Sequence, residues 1–272
     1  MSELKYRFTY DTLFKLLFVK YPELLERLIA AILEISVDGI SEFKITNPEI
    51  PPEAIGNKFC RLDINMAING RQVNLEVQVE NEGDYAERTL YHWARVYSSA
   101  LKAGRPYSSL PQVVIISIIN FNMYNCTQYR SKFLPIEAIR GDLLSDRMVI
   151  LYFELRKLPK EINVNNELEI VLSLFRAKTD EDLRRLEELG VPIVSQYIDA
   201  YREILVSPEF RELERLRADA RHNEASALLH ATRVEREKWQ NVISDKNSAL
   251  ADKDAEIALL RAQLKKAKQE SE

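Results

Sequence analysis

Glycine is scarce in this chain of 272 residues, seven in all and each isolated. Without clustered glycines there is no loop that brings backbone N–H groups against phosphates in the P-loop or dinucleotide manner, so nucleotide-fuelled chemistry is excluded. Cysteine is scarcer still. Cys60 and Cys126 stand far apart with no C-x-x-C, which excludes a disulfide framework and a zinc site and suits a reducing cytosol. Long apolar runs are missing: Val113 to Ile119, interrupted by Ser117, is far too short to span a bilayer. MSELKYRFTYD at the start lacks the apolar core of a signal peptide, and the expectation is a cytoplasmic protein with no membrane association. Positive charge is not in excess either. Lys and Arg total 38 against 42 Asp and Glu, a net charge of -4, which argues against a surface that is nucleic-acid-binding throughout but leaves room for a local basic groove. His92, His222 and His230 are the only histidines, and no G-x-S-x-G elbow accompanies them, so a Ser-His-Asp site has no support.

What is present is 46% hydrophobic residues, enough for one sizeable core plus an appendage. The most informative stretch is RLDINMAINGRQVNLEVQVE, Arg61 to Glu80. Asn69-Gly70 predicts a type I′ hairpin, whose two central residues need positive φ. Counting outward, Ile68 faces Arg71, Met66 faces Val73, Ile64 faces Leu75 and Leu62 faces Val77, and with Val79 these make one apolar face. The opposite face pairs Asn65 with Asn74, Asp63 with Glu76, and Arg61 with Gln78. Asp63 and Glu76 would meet at a non-hydrogen-bonded position, where cross-strand side chains come closest and like charges repel. Two readings stand: solvated acids on an exposed face, or a pair bridged by a divalent cation.

A helix is expected from about Thr12, capped by Thr9 or Asp11, and a second opening at Pro22, with Leu24, Leu25, Leu28, Ile29, Ile32 and Leu33 as its apolar stripe. Phe43 to Thr46 reads as a short strand, and Asn47-Pro48 with Pro51-Pro52 as a loop before the hairpin. Tyr85 to Ala103 reads as a helix stopping at Gly104, its core stripe including Leu90, Trp93, Ala94 and Tyr97. VVIISIIN, Val113 to Asn120, reads as a strand buried on both faces, and MVILYFEL, Met148 to Leu155, as another. Pro159 to Asn166 reads as a linker. Helices follow over Glu167 to Ala177, Asp180 to Leu189 and Pro192 to Val206. From Pro208 onward charges are balanced and Ile243, Leu250, Ile257 and Leu264 recur every seven residues, with Leu260 and Ala267 at companion positions and Lys246 and Lys253 interrupting. This is either a solvated single helix or, as favoured here, a dimerising coiled coil. The expected organisation is 1–160 as an α/β domain, 161–207 as a helical segment, and 208–272 as a long helix or coiled coil.

Strand with Asp, strand with Glu and a polar residue two positions on, then helix: this order places oxygen donors on one patch, the donor type that hard cations such as Mg²⁺ select. The arrangement resembles the PD-(D/E)XK nuclease superfamily, and within it the recombination-promoting nuclease (Rpn-like) family. The likeness covers roughly the first 160 residues: D-x-x-F-K at Asp11 to Lys15, RLDI around Asp63, NLEVQ around Glu76, ERTLYHWARVYSSALKAGRPYSSLP after it, and FELRKLP near Glu154. The resemblance implies a mixed sheet flanked by helices and metal-dependent hydrolysis of DNA, with Asp63, Glu76 and the Val77 carbonyl holding Mg²⁺ or Mn²⁺. Where the superfamily carries lysine, Gln78 stands here as the family commonly has it, able to position water by hydrogen bonds but not to act as a cation. Asp11 matches the family's helical motif, as a further acid or as a plain N-cap. Lys15 matches as a phosphate contact or is a surface lysine. Arg88 and Tyr91 match on the following helix and are expected to face the acids and contact phosphate. The alternative is an inactive nuclease-fold scaffold or DNA-binding protein that dimerises through its coiled coil.

Overall fold

The computed structural model describes residues 2–47, 63–81, 83–101 and 103–269. Alternating and continuous apolar runs build a six-stranded sheet of β1 (Phe43–Ile45), β2 (Ile64–Ile68), β3 (Arg71–Gln78), β4 (Val113–Ile119), β5 (Arg130–Phe133) and β6 (Met148–Glu154), in the order β1-β2-β3-β4-β6-β5. β3, β4 and β6 are parallel to one another, and the other pairings are antiparallel. The helices are α1 (Asp11–Lys20), α2 (Pro22–Leu33), α3 (Tyr85–Ser99), α4 (Glu167–Arg176), α5 (Asp180–Glu187), α6 (Pro192–Val206) and α7 (Pro208–Gln269). This is the mixed, helix-flanked α/β sheet expected from the sequence. None of the described helices is long and apolar enough to cross a membrane.

The hairpin has the register that Asn69-Gly70 demands, with Asn65 opposite Asn74 and Ile64 opposite Leu75. Both turn residues have positive φ, 47° at Asn69 and 74° at Gly70. The Leu62 and Arg61 pairings lie outside the described residues, as do the Pro48 and Pro51-Pro52 positions of the expected loop. Val79 departs from expectation: it follows the end of β3 and is 40% exposed.

The two faces of the sheet are unequal. Ile64, Met66, Leu75, Ile116, Leu151 and their neighbours join the large core made with α1, α2, α4, α5 and α6. Residues 161–207 share this core, and Met1–Arg217 form one compact unit. On the other face α3 covers a smaller cluster of Val113, Ile115, Ile119, Ile150 and Tyr152. Much of α3 stays in solvent. Leu90 is 48% exposed and Ala94 is also exposed, while Trp93, Val96 and Tyr97 make the contact. The expected stripe was therefore half right, and the helix ends at Ser99 rather than Ala103.

The second unit, Ala218–Glu272, lies within and beyond α7. In it Ile243, Leu250, Ile257 and Leu260 are all exposed. The side chains of Leu264 and Ala267 are outside the described residues.

A Cβ at position 70 would meet no atom within 4 Å, so replacing Gly70 costs only backbone strain. Gly70→Val is expected to lower unfolding free energy by about 1–2 kcal/mol in a urea titration, and Gly70→Asn by less, since Asn tolerates positive φ.

Candidate active site

Strand alternation sends Asn74, Glu76 and Gln78 of β3 to the α3 face, along with Ser117 of β4 and Glu154 of β6. The parallel register sets Glu76 beside Ser117, and Ser117 beside Tyr152. Asp63 immediately precedes β2, so continuing the β2–β3 register puts it opposite Glu76.

Each acid is met by donors. Glu76, 8% exposed, accepts a hydrogen bond from the Tyr85 hydroxyl and a longer one, 3.4 Å, from Ser117 Oγ. Asp63 Oδ2 accepts from the Asn74 amide, which also donates to Asn65 Oδ1 at 2.9 Å. These neutral dipoles lower the cost of facing two carboxylates. Tyr152, beside them, has its phenol pKa raised by burial foremost, with Glu76 and Glu87 adding to the rise.

Lys15 corrects the surface reading. It is 1% exposed, and its Nζ donates to the main-chain carbonyls of Asn47 and Asp63, the latter at 2.9 Å. α1 buries a broad face, Thr12 through Phe18, and carries the lysine stem inward with it. The ammonium holds the backbone of Asp63 instead of reaching toward solvent. Asp11 does not cap α1 either. It is the first helical residue, after a Tyr10 that makes no side-chain cap, and its carboxylate pairs with Arg217 at 3.3 Å.

Arg88 is brought to the site through Tyr85: its guanidinium lies over the tyrosine ring, 4.5 Å from the centroid. Tyr91 is not. It is 61% exposed, with His92 beside its ring and Arg95 one turn further on. Tyr91 lies on the solvent face of α3, whose opposite face goes on packing Trp93, Val96 and Tyr97 against the sheet. Gln78 is 7% exposed and its amide donates to the Glu80 carbonyl at 2.7 Å, which fixes its orientation.

Sequence reasoning missed Tyr85, Ser117, Asn74 and a clasp at the far edge. Glu154, fully buried, pairs with Lys157 at 2.7 Å and accepts from Met123 N, while Lys157 donates to the Tyr124 carbonyl at 2.6 Å. This pins the loop after β4 to the end of β6. FELRKLP contained both partners at i, i+3, the spacing that signals such a pair.

No three His, Cys, Asp or Glu residues cluster as a metal site among the described residues. The oxygen donors on this face are the Asp63 and Glu76 carboxylates and a strand carbonyl. That suits a hard divalent cation retaining waters, as Mg²⁺ does, and does not suit zinc, which wants nitrogen or sulfur.

Lys15→Met is expected to leave the Asn47 and Asp63 carbonyls buried without their donor, at a cost of about 1–3 kcal/mol in urea unfolding. Tyr85→Phe should leave stability nearer the wild type, because Ser117 still serves Glu76.

No curated protein and no solved structure matches the chain. A protein-family model described as PD-(D/E)XK nuclease family transposase matches residues 8–231, from before α1 into α7. With most of its length covered, and with the mixed sheet that the sequence anticipated, the chain belongs to the PD-(D/E)XK nuclease family of transposases.

Proposed function

We propose that this protein is a metal-dependent DNA endonuclease of the kind used in DNA recombination or transposition, working in the cytoplasm. The observation that carries the reading is the facing of Asp63 and Glu76 on one sheet face, in a chain of nuclease family membership. The proposed ligands of Mg²⁺ or Mn²⁺ are Asp63, Glu76 and the Val77 carbonyl. Such a cation, when bound, supplies Lewis acidity toward a phosphodiester and lowers the pKa of a water.

The chain's own residues do the rest. Tyr85 and Ser117 hold the Glu76 carboxylate in one orientation. Lys15 holds the Asp63 backbone, and Asn74 its carboxylate. Gln78, held by Glu80, orients the attacking water through its amide. Arg88, stacked on Tyr85, steadies the scissile phosphate. Tyr91 is left outside this centre.

A second reading, an inactive nuclease fold that acts as a scaffold or DNA-binding module, draws on Gln78: with no lysine at that position and its amide committed to Glu80, the site has less means to activate water.

Supercoiled plasmid separates the two. Nicking is expected with Mg²⁺ or Mn²⁺ and not with chelator, and Asp63→Ala and Glu76→Ala should each lower the rate about a hundredfold or more. Equal nicking by Asp63→Ala would sink the mechanism. Absent cleavage, absent metal uptake by calorimetry and no DNA retention at low salt would together favour the scaffold.

The exposed seam of Ile243, Leu250, Ile257 and Leu260 supports a homodimeric coiled coil. Sedimentation of the full chain should give a dimer mass, and Ile243→Asp with Leu250→Asp a monomer.

A further inference from the structure

On the face of the sheet opposite the acids, the segment after β6 and helices α4 and α5 enclose a cavity of about 560 Å³. Leu158, Ala177 and Leu186 belong to the large core, whereas Glu76 and Ser117 lie on the α3 side, so the sheet separates this cavity from the candidate active site. Its size is that of a small-molecule site.

The lining is unusual for a protein of net charge -4. Four cations, Lys160, Arg176, Lys178 and Arg185, meet one carboxylate, Asp182. Arg185 pairs with Glu181 at 3.2 Å, a carboxylate that Arg184 also approaches at 3.7 Å. Arg176 is anchored by uncharged groups, its Nη1 donating to the Leu158 and Pro159 carbonyls at 2.9 and 3.1 Å. Lys160 and Lys178 form no ion pair with any described residue.

Asp182 is committed to the α5 capping box, accepting from the backbone N–H groups of Lys178 and Thr179 at 2.9 and 3.0 Å. Burial works against its ionisation, but those bonds and the Thr179 hydroxyl hold its carboxyl below the ordinary value, so it counts as one negative charge. Setting aside the Arg185–Glu181 pair leaves Lys160, Arg176 and Lys178 against Asp182, a surplus of two positive charges.

Beside these charges Ile162, Leu186 and Leu189 form an apolar wall.

We propose that this cavity binds a nucleoside monophosphate, its phosphate held by Lys160, Lys178 and Arg176 and its base against Leu186 and Leu189. A phosphomonoester carries about -1.5 to -2 charges at neutral pH, matching the surplus. Arginine and lysine together suit phosphate recognition, one by directed donors and one as a point charge. The apolar wall gives the ring system a surface that inorganic phosphate cannot use, and the volume leaves room for it. The proposal does not depend on the nuclease reading.

The test is calorimetry on the full chain with deoxyadenosine 5′-monophosphate, deoxyadenosine and inorganic phosphate. The monophosphate is expected to bind, phosphate to bind more weakly, and the nucleoside not to bind. Lys160→Glu with Lys178→Glu, at exposed positions, should keep the wild-type melting temperature and weaken the monophosphate about tenfold or more. Asp63→Ala should bind as the wild type does. No heat with the monophosphate, equal affinity in the charge-reversed protein, or loss of binding in Asp63→Ala would each overturn the assignment.

Discussion

The Asn69 side chain accepts from the Ser41 N–H at 2.9 Å and the Glu42 N–H at 3.1 Å and donates to the Gly39 carbonyl at 2.9 Å, all from within a left-handed turn. The residue that reverses the chain between β2 and β3 thus also ties the hairpin to the approach to β1. A slip of one residue would break these bonds and turn every hairpin side chain over. The large core would then receive Asn65, Asn74 and Glu76, and the α3 face would lose them. Core and candidate site therefore share one constraint.

Holding two acids on one face requires that the charge be managed locally. The structure does so with dipoles: Asn74 on Asp63, Tyr85 and Ser117 on Glu76. Lys15 adds positive charge beside the strand and spends donors on the Asn47 and Asp63 main-chain carbonyls. The hydrogen bonds from Asn74, Tyr85 and Ser117 fix the orientation of both carboxylates.

The unequal faces divide the labour of the fold. Among the described residues, α1, α2, α4, α5 and α6 with Phe210 bury one side of the sheet and supply most of its apolar burial. On the other side α3 packs on a smaller cluster, next to Glu76 and Gln78 of β3. Parallel β3, β4 and β6 bring the residues at their carboxyl ends into one row, Gln78 beside Ile119 beside Glu154. Crevices outside the carboxyl ends of parallel strands are where α/β sheets commonly bind ligands. The Glu154–Lys157 clasp borders this row and fixes its loop.

Local chemistry is what the sequence by itself determined. Asn69-Gly70 demanded one turn, period-two alternation separated Ile64, Met66 and Leu75 from Asn65, Asn74 and Glu76, and the Val113 to Ile119 run, apolar but for Ser117, required cover on both faces. These depend on steric limits and on neighbours close in the chain, so they are legible without coordinates, and with them the fold class and family. Only the tertiary structure decided what long-range packing controls. Lys15 is buried because the Asn47 and Asp63 carbonyls, 32 and 48 residues away, converge on it. Tyr85 rather than Tyr91 reaches Glu76 because Tyr85 lies on the sheet-facing side of α3 and Tyr91 on its solvent side. Glu76 meets Ser117 across 41 residues because β4 enters parallel to β3. Periodicity names the face a side chain occupies, but the partner it finds there is set by where distant segments arrive.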